Sequence, residues 1–173
     1  MAEGQIMEIN LKNLVWLMLL AAFAANITTA QDANTISIAS VSDWQLLMND
    51  TANWSKNIVL TADIDLSGIT LSPIGTHTTP FTGSFDGNGY VIYNATIDVP
   101  DSNYVGLFGF IYKGNVKKLG LSSASITGCD YVGGIAGMNL GGEITSCYVT
   151  GSINGKLYVG GLVGYSTAAE KSD

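Results

Sequence analysis

Along most of the chain apolar residues come in short runs of two to five, separated by Gly, Asn, Ser, Asp and Thr. Two segments near the start break that pattern. Residues 14–25, Leu-Val-Trp-Leu-Met-Leu-Leu-Ala-Ala-Phe-Ala-Ala, form a continuous apolar run of 12 residues. Further on, Val41 to Met48 sets Trp44, Leu47 and Met48 at positions i, i+3 and i+4, the spacing of one helix face. Ser42 and Gln45 fit a capping box, so the pattern predicts a short helix there. From Asn57 to Leu66 the period changes to two. Ile58, Leu60, Ala62, Ile64 and Leu66 point one way and Thr61, Asp63 and Asp65 the other, as in a half-buried strand.

Downstream of that strand the chain repeats itself. Gly106-Leu-Phe-Gly109, Gly134-Ile-Ala-Gly137 and Gly161-Leu-Val-Gly164 recur at intervals of 28 and 27 residues. Each is preceded by Tyr-Val: Tyr104-Val105, Tyr131-Val132 and Tyr158-Val159, at intervals of 27. The doubled glycine Gly133-Gly134 supplies the extra residue of the first step. In a second block Val116, Leu119 and Leu121 correspond to Ile144, Cys147 and Val149. Upstream, Ile92, Ala95 and Ile97 show the same three-then-two spacing. A third block, Ser125-Ile-Thr-Gly128, returns as Ser152-Ile-Asn-Gly155.

A unit of about 27 residues without helical periodicity is used up by three strands of four or five residues and three turns. One coil of a parallel β-helix meets that description, each strand pairing with its equivalent one coil along. Like residues would then stack at the ~4.8 Å spacing of neighbouring strands. The conserved-register glycines Gly106, Gly109, Gly134, Gly137, Gly161 and Gly164 are read as structural, supplying positive φ at corners or close approach between coils. A β-sandwich with Gly-rich hairpins is the alternative, but it offers no reason for a 27-residue register. The expected fold is thus all-β, a right-handed parallel β-helix of four to five coils. The short helix caps its N-terminal end, because a solenoid's end strand would otherwise present unpaired backbone. The expected organisation is residues 1–30 as signal peptide, 31–56 as N-terminal cap, 57–166 as β-helix and 167–173 as a polar tail. The last coil, with no such cap, would stack on further repeats or on a partner chain.

The segments Thr61-Ala-Asp-Ile-Asp-Leu-Ser67, Pro73-Ile-Gly-Thr76, Phe81-Thr-Gly-Ser-Phe-Asp-Gly-Asn-Gly-Tyr-Val-Ile92 and the Gly-Leu-x-Gly units resemble bacterial and archaeal surface proteins carrying the GLUG motif. These are similar to filamentous-haemagglutinin-type β-helix proteins. The resemblance runs from about Val41 to Tyr165. It implies a secreted or surface-displayed repeat module engaged in adhesion or matrix contact, and it carries no catalytic residues.

The apolar run at residues 14–25 is short for a bilayer span of roughly 20 residues. Lys12 precedes it, and Thr28 and Ala30 stand at −3 and −1 of a cut before Gln31, the layout of an export signal. An exported chain with no transmembrane span after signal removal would be secreted or held at the cell surface. The net charge is −7 and no arginine occurs, which argues against a nucleic-acid partner. One His and two Cys leave little material for a zinc site or a His-based triad, so no metal, cofactor or catalytic residue is assigned. Cys129 and Cys147 fall at non-equivalent repeat positions, one in a loop and one in a strand, and are read as separate thiols with Cys147 buried.

Three constellations carry candidate chemistry. Asp63 and Asp65 share a strand face roughly 7 Å apart, a separation that fits either a solvated face or the acid pair of an inverting glycosidase. Asp86-Gly-Asn-Gly89 is a turn signal without the rest of an EF-hand or phosphate loop. Tyr104, Tyr131 and Tyr158 occupy one column, at a corner if Val105 and Leu107 point inward. Such a ladder either packs on itself or stacks against sugar rings. Asn49, Asn53 and Asn94 begin glycosylation sequons. The leading functional reading is a non-enzymatic surface module contacting a glycan or a matrix or host surface protein. The alternatives are a polysaccharide-degrading β-helix enzyme (glycosidase or lyase) using Asp63, Asp65 or Asp86, and a structural spacer of a larger surface protein.

Overall fold

Short apolar runs cannot close a core within one strand pair; they close it by repetition, and the chain winds accordingly. In the computed structural model, residue 32 and residues 34–169 are described. The expected signal peptide and residues 170–173 of the polar tail lie outside them. The chain begins with β1 (Thr35–Ile38) and helix α1 (Val41–Asn49), followed by β2 (Asn57–Leu60) and β3 (Ile64–Asp65). Then come β4 (Ser84–Asp86), β5 (Val91–Tyr93), β6 (Thr96–Asp98) and β7 (Phe108–Tyr112). The next coil holds β8 (Asn115–Lys117), β9 (Gly120–Thr127), β10 (Asp130–Gly133) and β11 (Ala136–Leu140). The last holds β12 (Glu143–Thr145), β13 (Tyr148–Asn154), β14 (Leu157–Gly160) and β15 (Val163–Thr167).

Every ladder is parallel. One sheet runs β1-β2-β4-β8-β12, a second β3-β5-β9-β13 with β6 also on β9, and a third β7-β11-β15. The pair β10-β14 forms a short fourth ladder, extended by a Val105–Val132 bridge. Each pass of the chain visits these sheets in turn, so the fold is a parallel β-solenoid of about 4 turns spaced about 28 residues apart. The valine column stands in vertical register: Val105 pairs with Val132, and Val132 with Val159. Ser125-Ile126-Thr127 lies beside Ser152-Ile153-Asn154 as the repeat requires.

One column is displaced from its expected place. Ile92 and Ile97 sit beside Leu121 and Ile126, and the Ser125 amide donates to the Ala95 carbonyl. The triplet Ile92-Ala95-Ile97 thus matches Leu121-Ala124-Ile126, while Val116 pairs with Phe85. Three-then-two spacing occurs twice per coil, so spacing alone could not choose between the copies. The switch of repeat interval from 28 to 27 also has a location: the register shifts between Val149 and Gly151, where β9 holds one more residue than β13.

Inside, Ile58, Phe85, Val116, Ile92, Leu121 and Ile126 are fully buried. Trp44 meets Phe85 edge-on at 6.1 Å, and Phe108 touches both Phe85 and Phe81 at 5.4 and 4.8 Å between ring centroids. Each such side chain contributes roughly 1.5–3 kcal/mol on leaving water. Burial fades in the final coil, where Ile144, Val149, Ile153 and Val163 are only partly covered. The segment Asn57–Leu66 alternates as expected but bends at half-buried Ala62, so its two halves, β2 and β3, join different sheets.

Helix α1 buries Trp44 and Leu47 in the core, and Met48 receives a bond from the Ser72 amide. Its cap lies two residues earlier than the capping-box pattern suggests. Ser40, not Ser42, is the N-cap: its hydroxyl accepts from the Asp43 amide, while the Asp43 carboxylate accepts from Ser40 Oγ at 2.8 Å and the Ala39 amide at 3.0 Å. An aspartate at the third helical position reaches back as a glutamate or glutamine would, and it adds negative charge where the helix dipole favours it.

Five of the six repeat glycines, Gly106, Gly109, Gly134, Gly137 and Gly164, are required by close approach and not by positive φ. The left-handed corners are carried by non-glycine residues that stack on one another, such as Tyr104, Tyr131 and Tyr158 at φ 60°, 58° and 53°, and Lys118 and Ser146 at 51° and 53°. A Cβ built on Gly137 would lie 2.5 Å from the Val105 amide nitrogen of the coil before, closer than any real Cβ contact. Gly161, in the final coil, has nothing within 4 Å. Gly137→Ala is therefore expected to destabilise the fold by roughly 1–3 kcal/mol, as overpacking does. Gly161→Ala should stay within about 0.5 kcal/mol of the parent. Urea-unfolding midpoints of the two variants check this.

Candidate functional site

A left-handed residue turns the chain at each passage from the second sheet to the third, and Tyr occupies that position in three successive coils. The backbone amides there bond across coils, Tyr104 to the Asp130 carbonyl at 2.9 Å and Val105 to the Tyr131 carbonyl at 3.0 Å. With Val105 and Leu107 buried, the phenol rings project at the corner. They form a ladder: Tyr104 stacks on Tyr131 at 4.9 Å and 18°, and Tyr131 on Tyr158 at 4.8 Å and 11°. The ring interval is the strand interval, imposed by the backbone. Packing between neighbours raises the Tyr131 phenol above its ordinary pKa, through desolvation first and the adjoining Tyr158 and Tyr104 second.

Two features of this ladder escaped the reading of the repeats. His77 forms a fourth rung, stacked on Tyr104 at 5.9 Å and 21°. It lies 27 residues before Tyr104, so the repeat interval itself pointed to it, although the change of residue type hid the match. The ladder also leans on a second column from the third sheet. Phe110 meets His77 and Tyr104 edge-on at 5.4 and 5.5 Å, Met138 follows it in register, and Tyr165 meets Tyr131 and Tyr158 edge-on at 6.0 and 5.4 Å. The column is half-buried at Tyr104 and Tyr131, and Tyr158 is 52% exposed.

The carboxylates hold coils together. Asp63 accepts from the Val91 amide at 2.8 Å, one coil along. Asp65 accepts from the Asn94 side chain at 2.9 Å and the Ser67 amide at 3.0 Å, and these bonds, Asn94 foremost, lower its pKa. Asp86 accepts from the Asn88 amide at 2.8 Å and pairs with Lys117 at 3.2 Å. Burial is the largest influence on Asp86 and pulls its pKa upward, but the Asn88 and Lys117 bonds together outweigh it and the net shift is downward. Among the sequon asparagines, Asn94 is tied to Asp65, Asn53 to the Asp50 carboxylate and Asn49 to the Gln45 carbonyl.

The two cysteines are separate free thiols. Cys147 sits in the corner between β12 and β13 rather than within a strand, and it is half-buried because it belongs to the least covered coil. Burial raises its pKa, and its thiol lies 3.3 Å from the Thr145 carbonyl. Among the described residues no group of three or more His, Cys, Asp or Glu is placed to hold a metal ion, and no helix is long and apolar enough to cross a membrane.

Residues 128–154, one complete circuit from the corner after β9 to the end of β13, match the family model described as the GLUG motif. The chain carries the GLUG motif. It is 36% identical over 116 residues to Halomucin of Haloquadratum walsbyi, a match covering 61% of this chain and 1% of that protein. It is 40% identical over 90 residues to a protein of Evansella cellulosilytica provisionally named a Gly-rich membrane protein, covering 50% of this chain and 10% of that one. The chain thus spans a small part of the length of these curated relatives. Among solved structures, a provisionally assigned immunoglobulin A1 protease from Bacteroides ovatus superposes with a TM-score of 0.55 at 23% identity, over 70% of this chain and 39% of that chain. That likeness bears on the fold alone.

Asp43, Asp65 and Asp86 are all held below the ordinary aspartate pKa, Asp43 mainly through the Ala39 amide and the Ser40 hydroxyl. A carboxylate depressed in the folded state adds stability above its unfolded pKa and loses it as pH falls through the folded value. The thermal midpoint should hold steady from neutral pH to about pH 5 and drop progressively below about pH 4. Asp65→Asn should flatten part of that drop in a pH series of thermal melts.

Proposed function

We propose that this chain is a non-enzymatic repeat module of a secreted or surface-displayed protein, which presents a stiff face for adhesion to a glycan or to a matrix or host surface protein. The observation that supports this most is the stacked aromatic ladder of His77, Tyr104, Tyr131 and Tyr158, held partly exposed with its tyrosine rings at the strand interval. Stacked aromatic rings presenting their edges on a rigid scaffold have little conformational entropy to lose on contact, and the regular tyrosine spacing lets weak contacts add along the rod. The GLUG motif and the similarity to Halomucin agree with a surface setting. On this reading the exposed final coil, with Leu157, Val159 and Leu162 at 59%, 43% and 40% exposure, stacks on a further repeat or a partner chain.

Against the polysaccharide-degrading alternative stand the bonds of Asp63, Asp65 and Asp86. A general acid needs a raised pKa, and Asp65 and Asp86 are shifted the other way. The test is retention of the purified protein on surfaces coated with neutral polysaccharides, acidic polysaccharides or matrix proteins, run beside reducing-end release from the same glycans. Saturable retention without product, weakened severalfold by Tyr131→Ala, is the expected result. Product release abolished by Asp63→Asn would establish the enzymatic reading instead.

A further inference from the structure

At the N-terminal end of the ladder the loop before Phe81 and the loop after β6 face each other across a cleft of about 340 Å3. That volume is at the lower end of small-molecule sites, which are mostly apolar with a few convergent polar groups. Its lining has this composition: the rings of His77 and Tyr104, the apolar Pro73 and Val105, and the polar side chains of Ser102 and Asn103. No charged residue lines it. Tyr104 is fixed from three sides by His77, Tyr131 and Phe110, so one wall of the cleft is rigid. Asn103 uses its side-chain oxygen to accept from the Asp130 amide at 3.2 Å, which orients its amide group. The remaining Asn103 NH2, the Ser102 hydroxyl and the His77 ring nitrogens make no hydrogen bond to the described residues.

We infer that this cleft is a subsite for one neutral hexopyranose unit, its C–H face against the side of the His77 ring turned away from Tyr104 and its hydroxyls bonded to Ser102 and Asn103. A pyranose has an apolar face and a polar rim, and the cleft presents the complement of each. The absence of lysine and arginine from its walls leaves nothing to neutralise a uronate or sulfate group, which selects neutral sugars. The inference deepens the adhesion reading and rests on it, naming the sugar class and the end of the ladder at which contact is made.

The test is a titration of the isotope-labelled full chain with methyl β-D-glucopyranoside, methyl β-D-galactopyranoside, methyl α-D-mannopyranoside and D-galacturonate, followed residue by residue in amide NMR spectra. At least one neutral glycoside should shift Thr76, His77, Ser102 and Asn103 saturably, and galacturonate should bind more weakly. His77→Ala should weaken binding about 2- to 13-fold, the equivalent of 0.5–1.5 kcal/mol of ring stacking. Leu46→Ala, on the exposed face of helix α1 and 68% exposed, should leave the affinity unchanged. Both variants alter exposed side chains, and their own spectra report whether the fold is intact. Saturation by none of the neutral glycosides overturns the inference, as does preference for galacturonate or binding that survives both His77→Ala and Asn103→Ala. If the whole protein still adheres to surfaces while this cleft stays silent, the subsite is wrong and the adhesion reading stands. If neither binds, both fall.

Discussion

Successive coils approach to the interval of hydrogen-bonded strands, and that single distance governs the rest of the molecule. It permits parallel ladders in every sheet, and it leaves no room for a Cβ where the repeat glycines meet the backbone of an adjoining coil. Gly106, Gly134 and Gly137 face neighbouring backbone at 2.5 to 2.7 Å from where a Cβ would stand, whereas Gly161 of the last coil faces open space. The same residue type is thus compulsory inside the stack and optional at its edge. The distance also sets the aromatic ladder, since rings at equivalent corners can only lie one strand interval apart.

What could be read in advance follows from what a repeat makes visible. Tyr104, Tyr131 and Tyr158, the valines beside them and the Ser125 and Ser152 blocks keep both residue type and interval, and their stacking was legible. Where residue type changes, the signal weakens. His77 keeps the 27-residue interval but not the phenol, and Phe85 replaces a valine in the column of Val116. Ile92-Ala95-Ile97 shows the converse, with the right spacing assigned to the wrong side of the coil, because each circuit contains two such triplets. The corners were the least legible. Lysine, serine and tyrosine hold left-handed conformations that composition assigns to glycine, and the cross-coil amide bonds that stabilise them are not a property of local sequence.

The carboxylates illustrate how the scaffold absorbs what looks like chemistry. Asp63 and Asp65 have the face and spacing of an acid pair, yet each is engaged by a donor from the adjoining coil. In a structure with few ion pairs, such bonds secure the outer face where no apolar packing reaches. The tyrosine ladder and the cleft beside its first rung lie along one corner. The two ends of the stack differ as well. Helix α1 near one end buries Trp44 and Leu47, and the final described coil presents exposed Leu157, Tyr158, Val159 and Leu162 at the other.

The central claim is that like residues of consecutive repeats lie directly above one another. Methyl- and ring-labelled NOE spectroscopy tests it most directly. The account predicts cross-peaks from Val105 to Val132 and from Val132 to Val159, with the matching Tyr104–Tyr131 and Tyr131–Tyr158 ring contacts and none between Val105 and Val159. Cross-peaks from these valines only to strands 8 to 12 residues away, with no contact at the repeat interval, would contradict it.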